Sequence, residues 1–159
     1  MRAADARWPD HRFSAATQPM HTHTILERVG LRPTYPRILA LDFFRANPHD
    51  HFSAEQIYRL LNGDERNISL ATVYRLLAQL VDVTLLSSAV FGESRMVYEL
   101  NKGKPHDHIV CTECGQIEEF FDPEIEARQK AIAETHDFAL TARQFVLFGV
   151  CPACRKAGA

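Results

Sequence analysis

The stretch "SLATVYRLLAQLVD", residues 69–82, decides the fold. Ser69 stands as an N-cap. Behind it Leu70, Val73, Leu77 and Leu80, with Leu76 and Val81, recur at helical spacing and line one face. The opposite face carries Thr72, Arg75 and Gln79, with Tyr74 at its edge. Directly after it, "TLLSSAV" (84–90) and "SRMVYEL" (94–100) are β-rich runs joined by "FGE" (91–93), the pattern of a hairpin. A helix with one polar face followed by a two-stranded ribbon is the end of a winged helix-turn-helix. Arginine to guanine, and tyrosine or threonine to a thymine methyl or a phosphate, are ordinary major-groove contacts. Thr72, Tyr74 and Arg75 are therefore candidate DNA-reading residues, with a plain solvated helix face as the rival reading.

The segments upstream supply the helices such a domain needs. "THTILERVGLR" (22–32) is a short helix ended by Gly30. "TYPRILALDFFRAN" (34–47) is a second, with Thr34 as its cap, Pro36 in its first turn and a stop before Pro48. "SAEQIYRLLNG" (53–63) opens on a capping box, Ser53 with Gln56, and closes at Gly63. Residues 1–20 mix Ala, Pro, Arg and His without periodicity and are expected to form a disordered tail. The expected organisation is α+β: a tail (1–20), a winged-helix DNA-binding domain (21–101) and a small α/β dimerisation domain (102–159).

The net charge of −2 gives no basic excess of the kind many nucleic-acid binders show. Its distribution says more: the cations of residues 1–100 are all arginine, the side chain suited to bidentate phosphate and guanine contacts. No apolar run approaches the ~18–20 residues a membrane span requires, and the first twenty residues lack the apolar segment of a secretory signal. The chain is expected to be cytoplasmic, with no membrane partner.

"NKGKP" (101–105) is a polar linker. Beyond it, "HIVC" and "QIEEFF" are short strands around a cysteine knuckle, residues 123–136 a helix with Pro at its first turn, and "FALTARQFVLFGVC" (138–151) an alternating strand. A unit of roughly 50 residues is marginal alone and ordinarily needs a metal or a partner subunit. The four cysteines, Cys111, Cys114, Cys151 and Cys154, form two Cys-x-x-Cys pairs with none left over. In a reducing compartment this favours metal over disulfides. Four thiolates close a tetrahedral Zn(II) shell and leave no place for substrate, so the role is structural. His106 and His108 alternate along a strand and point to one face. Glu119, on the next strand, can face them, a set that suits Fe(II), Mn(II) or Zn(II). Glu99, at the end of the hairpin, and His51, ahead of the Ser53 cap, are further candidates. Each of these residues alone is more often a surface group than a ligand.

Together "GLRPTYPR", "HFSAEQIY", "ISLATVYRLL", "VYEL", "HDHIVCTECGQIEEF", "EIEARQ" and "CPAC" resemble the ferric uptake regulator (Fur) family, from about Leu26 to Cys154. The resemblance implies a homodimeric (or higher-order), metal-dependent repressor that binds inverted-repeat operator DNA and controls metal uptake genes. By position it implies a structural Zn(II) at Cys111, Cys114, Cys151 and Cys154, and a regulatory metal at His51, Glu99, His106, His108 and Glu119, a site taking ligands from both domains and the hinge. It also implies major-groove reading by Tyr74 and Arg75, and minor-groove entry by Arg32.

The chain departs from the family pattern at two places. A third metal site found in many members would need His, Asp, Glu and His; Asp107 and Glu126 stand at the carboxylate positions, but Pro105 and Arg143 at the others, so that site is expected to be absent. Thr84 stands where the family usually places Gly before the wing. The regulatory set has no cysteine, as zinc sensors usually have, and has Glu99 and Glu119 where peroxide sensors usually have Asp. Fe(II) is therefore the expected effector, with Mn(II)-, Zn(II)- or peroxide-responsive regulation as alternatives within the family. Rivals from other classes are a metal-dependent enzyme and a zinc-stapled module that binds protein. The chain shows no nucleophile arrangement, so no catalytic residue is assigned and an enzyme is not expected.

Overall fold

The computed structural model describes residues 19–63, 68–91 and 95–157. The first eighteen residues of the expected tail, and Gly92 and Glu93 of the expected hairpin turn, lie outside them. The chain divides into two compact units, residues 1–102 and 103–159.

The first unit holds α1 (Pro19–Arg28), α2 (Tyr35–Ala46), α3 (Ala54–Leu61), α4 (Leu70–Asp82) and an antiparallel ribbon of β1 (Leu86–Phe91) and β2 (Arg95–Leu100). Helix α1 begins three residues earlier than its periodicity suggests, with Pro19 at a first-turn position that lacks an intrahelical N–H partner anyway. Thr34 sits at the N-cap of α2 in extended conformation, yet its side chain makes no capping bond. Pro36, the second helical residue, has no N–H to offer the hydroxyl, which leaves Arg37 N–H as the one remaining capping donor, and the structure does not use it. The capping box of α3 forms as expected: Gln56 N–H donates to Ser53 Oγ at 3.4 Å and Ser53 N–H to Gln56 Oε1 at 2.7 Å. Ser69 Oγ likewise accepts from Thr72 N–H at 3.2 Å to start α4.

The core of this unit is one cluster. Leu26, Leu41, Phe44, Ile57, Leu61, Val73, Leu77, Leu80 and Leu86 are at most 1% exposed, so all four helices and the ribbon close on the same centre. The stripe read from residues 69–82 is the part of α4 that enters it: Val73, Leu76, Leu77 and Leu80 are buried, Leu70 and Val81 partly so. Phe52 forms an isolated antiparallel bridge with Tyr98, each N–H donating to the other's carbonyl at 2.9 Å. This ties the segment before α3 to β2.

The second unit holds β3 (Asp107–Cys111), β4 (Ile117–Phe120), α5 (Pro123–Thr135), β5 (Val146–Gly149) and α6 (Pro152–Ala157). The sheet order is β4-β3-β5, with β4 antiparallel and β5 parallel to β3. The strand expected over 138–151 is only four residues long. β5 pairs with His108–Cys111, and a strand persists only where a neighbour's N–H and C=O groups meet it. Helix α6 follows Cys151 and was not legible as a helix. No residue of α5 or α6 is buried, and Phe121, Ile132, Phe138, Leu147, Phe148 and Val150 are exposed. Among the described residues, no helix is long and apolar enough to cross a membrane.

Candidate metal centres and nucleic-acid interface

The cysteines converge. Cys111 ends β3, Cys114 lies in the knuckle before β4, Cys151 follows β5 and Cys154 lies in α6. Their sulfurs all lie within 4.8 Å of one another, and Cys114 Sγ is 3.8 Å from Cys151 Sγ. A tetrahedral ion with bonds of ~2.3 Å separates its thiolates by ~3.8 Å, so the four fit Zn(II). Backbone donors are arranged toward sulfur: Cys151 N–H reaches Cys111 Sγ at 3.3 Å and Cys154 N–H reaches Cys151 Sγ at 3.4 Å. Backbone N–H groups of Cys114 and Cys151 bring the Cys111 thiol down to about 6. Hydrogen bonding to Cys151 and Cys114 pushes Cys154 up to about 12. One thiolate forms readily and its neighbours resist a second negative charge; a divalent cation relieves that opposition.

The candidate regulatory ligands fall into two groups, one in each unit. In the first, His51 Nε2 lies 3.0 Å from Glu99 Oε2. The Phe52–Tyr98 bridge explains the approach, because it brings the residues flanking Phe52 and Tyr98 side by side. In the second, His108 stands opposite Glu119 in the β3–β4 register, so their side chains share a face. His106 comes just before β3; its ring lies 5.0 Å from that of His108 and its Nε2 4.0 Å from Glu119 Oε1. Imidazole nitrogens and carboxylate oxygens are the donor types that suit Fe(II), Mn(II) or Zn(II).

At the position of the third site, Arg143 stands as a cation. Its Nη1 donates to Asp107 Oδ1 at 3.1 Å and to Gln129 Oε1 at 3.0 Å. Asp107 is 1% exposed, so its charge is neutralised by a guanidinium inside the unit. Glu126 pairs with Lys130 along α5 at 2.8 Å, which holds its carboxyl below the usual value. Both carboxylates thus stand in salt bridges, one of the two plain roles, surface or ion-paired, expected for them from the sequence.

The α4 face is exposed at Thr72, Tyr74 and Arg75, and Arg32 is exposed in the loop before α2. Thr72 Oγ1 is also 2.9 Å from Ser69 Oγ, so its hydroxyl is engaged in the cap. Gln79 is not a free base reader: its Oε1 accepts from Arg37 Nη2 at 2.7 Å, while Arg37 Nη1 donates to the Arg32 carbonyl at 2.8 Å. Arg37 thereby ties the Arg32 loop to α4, and Tyr74 O–H donates to Glu55 Oε1 at 2.7 Å. Neither Arg37 nor Glu55 was singled out from the sequence. Their partners lie 42 and 19 residues away, beyond any periodic signal.

The sequence model of the ferric uptake regulator family matches residues 28–148. The ferric uptake regulation protein of Bordetella parapertussis is 42% identical over 137 residues, 86% of this chain and 99% of the relative. The crystal structure of the Vibrio cholerae ferric uptake regulator superposes with a TM-score of 0.70 at 38% identity, covering 81% of this chain and 98% of that one. The Francisella tularensis ferric uptake regulator, solved with iron, gives 0.71 at 33% identity, with 79% and 96% covered. Winged helix, cysteine cluster and sequence agree, and the chain belongs to the ferric uptake regulator family, whose members are transcription regulators and not enzymes.

Proposed function

We propose that the protein is an Fe(II)-responsive repressor that binds inverted-repeat operator DNA as a homodimer in the cytoplasm and controls metal uptake genes. The observation that carries this reading is the pairing of a winged helix with two groups of His and carboxylate donors, one in each unit, in a chain of this family. The donor set also accepts Mn(II); the absence of a fifth cysteine disfavours a zinc sensor, and the ferric uptake regulation proteins among the relatives favour Fe(II).

Cys111, Cys114, Cys151 and Cys154 would hold a structural Zn(II), which supplies charge and cross-linking. His51 and Glu99 from the first unit, and His106, His108 and Glu119 from the second, would share the regulatory ion. Ligands drawn from both units would restrict the angle between them. In a dimer that angle sets the distance between the two α4 helices, and operator half-sites demand a particular distance. Selecting the matching arrangement raises DNA affinity, and linkage requires DNA to tighten metal binding by the same factor. The exposed apolar residues of the second unit, Leu147, Phe148 and Val150 among them, suit burial against a second copy. Arg75 and Tyr74 would read the major groove, with Thr72 at its edge, and Arg32 the minor groove.

The test is an anaerobic Fe(II) titration of the zinc-loaded protein, following the anisotropy of a labelled AT-rich inverted-repeat duplex. A saturable rise in affinity, reversed by chelator and lost in His51→Ala, is expected. Unchanged affinity in a folded protein shown to take up iron would overturn the iron reading, and a response to Mn(II) alone would reassign the effector. If His51→Ala kept the full metal response, the shared-ligand mechanism would fail.

A further inference from the structure

Glu55 lies in the first turn of α3, exposed on the side from which Tyr74 of α4 reaches it. A carboxylate there is adverse to binding a polyanion, since phosphate attraction depends on cations. What it does in the structure is accept the Tyr74 phenol proton at 2.7 Å. A tyrosine held at its Cα by a helix and at its oxygen by a neighbouring helix is biased toward one rotamer, so its ring, on a residue 42% exposed, favours one direction. The same bond withdraws the O–H from phosphate oxygens. Phosphate contacts orient a protein without reading sequence, whereas an aromatic ring against a thymine methyl reads a base.

We infer that Glu55 is a positioning residue for DNA specificity, holding the Tyr74 ring so that it reads a thymine methyl group and keeping its hydroxyl off the backbone. The inference rests on the proposed role of α4 as the recognition helix. Hydrogen bonds from Tyr74 and Ser53 keep the Glu55 carboxyl below its ordinary value, with Arg59 adding to the effect, so it remains an ionised acceptor at neutral pH. Removing its charge should, by Coulomb's law alone, tighten binding to every duplex; removing its positioning should cost discrimination at one base. The two effects have opposite signs.

The experiment uses the full zinc-loaded, metal-replete protein and the AT-rich inverted-repeat duplex, with each thymine of a half-site replaced in turn by deoxyuridine. The unmodified protein should lose roughly fourfold in affinity at one position, the worth of one buried methyl group. Tyr74→Ala should abolish that penalty. Glu55→Ala should abolish it too, whereas Glu55→Gln, which keeps an acceptor oxygen without the charge, should retain it. In a Tyr74→Phe background, Glu55→Ala should leave the deoxyuridine profile unchanged and only tighten all duplexes alike. If Tyr74→Ala leaves the profile unaltered, the recognition-helix reading fails and this inference with it. If Tyr74→Ala removes the penalty but Glu55→Ala leaves it intact, or if Glu55→Ala and Glu55→Gln merely tighten all duplexes alike, the positioning role alone is overturned.

Discussion

At the scale of single residues, the second unit depends on a buried ion pair as well as on apolar packing. Asp107 is almost fully enclosed, and Arg143 supplies its counter-charge while also reaching Gln129 on α5. Arg143 Nη2 is buried with no hydrogen-bond partner, so the pair is incompletely compensated even when intact. Such a pair is costly to break from one side, because the survivor is left charged in a low dielectric. Asp107→Asn is expected to destabilise the protein by about 3 kcal/mol in urea unfolding of the zinc-loaded form. The double change Asp107→Leu with Arg143→Met, apolar side chains of similar shape, should recover most of that loss. The pairing was partly legible: a cation at position 143 argued against a third metal site, but the burial of Asp107 depends on where β3 sits in the sheet.

At the scale of elements, three helices end in the same way. After α1, Gly30 N–H donates to Glu27 O and Leu31 N–H to Leu26 O, at 3.0 and 2.9 Å. After α4, Thr84 and Leu85 donate to Val81 and Leu80 at 2.8 and 2.9 Å; after α5, Asp137 and Phe138 donate to Glu134 and Ala133 at 3.1 and 2.9 Å. Each is the paired-bond C-terminal motif that requires a left-handed residue. Gly30 takes φ +77 without steric penalty, but Thr84 takes φ 59 with a β-branched side chain against it. The departure from Gly noticed in the sequence is thus real strain, retained because Leu85 must turn back onto the core beside Leu80. Thr84→Gly is expected to stabilise the winged helix by about 1 kcal/mol, the left-handed penalty less the extra chain entropy of glycine. A raised midpoint in thermal circular dichroism, with DNA affinity unchanged, would show it.

At the scale of the whole molecule, the two units differ in what holds them. The first has a shared apolar core drawn from four helices and a ribbon. The second has no buried residue on either helix, and its cysteine cluster joins the end of β3 to the segment after β5. Metal should therefore matter far more to the second. Removing zinc with a strong chelator is expected to abolish the proposed dimer in size-exclusion chromatography while the helical signal of the first unit persists. Protons compete with zinc for thiolate, so zinc retention should fall as pH drops, and because the bound ion holds its thiolates deprotonated, release should come below about 6, the value of the metal-free Cys111 thiol. A pH series of zinc release followed with a chromogenic chelator would check both the direction and the range.

The sequence by itself determined the order of elements and most of their starts. A 3.6-residue apolar period, a capping box at Ser53 and Gln56 and an N-cap at Ser69 are local, and local chemistry survives into the fold. It also determined that four thiols would act as a set, because two Cys-x-x-Cys pairs with none spare leave few other uses. Only the tertiary structure decided what each side chain meets. The 138–151 run could form a strand only where β3 offered it partners, Thr34 took the N-cap position without a capping bond, and Gln79 was claimed by Arg37. Tyr74 met Glu55, and Asp107 met Arg143, across separations at which neither residue alters the pattern around the other. Such pairs depend on packing geometry and not on chain distance, so periodicity and spacing carry no trace of them.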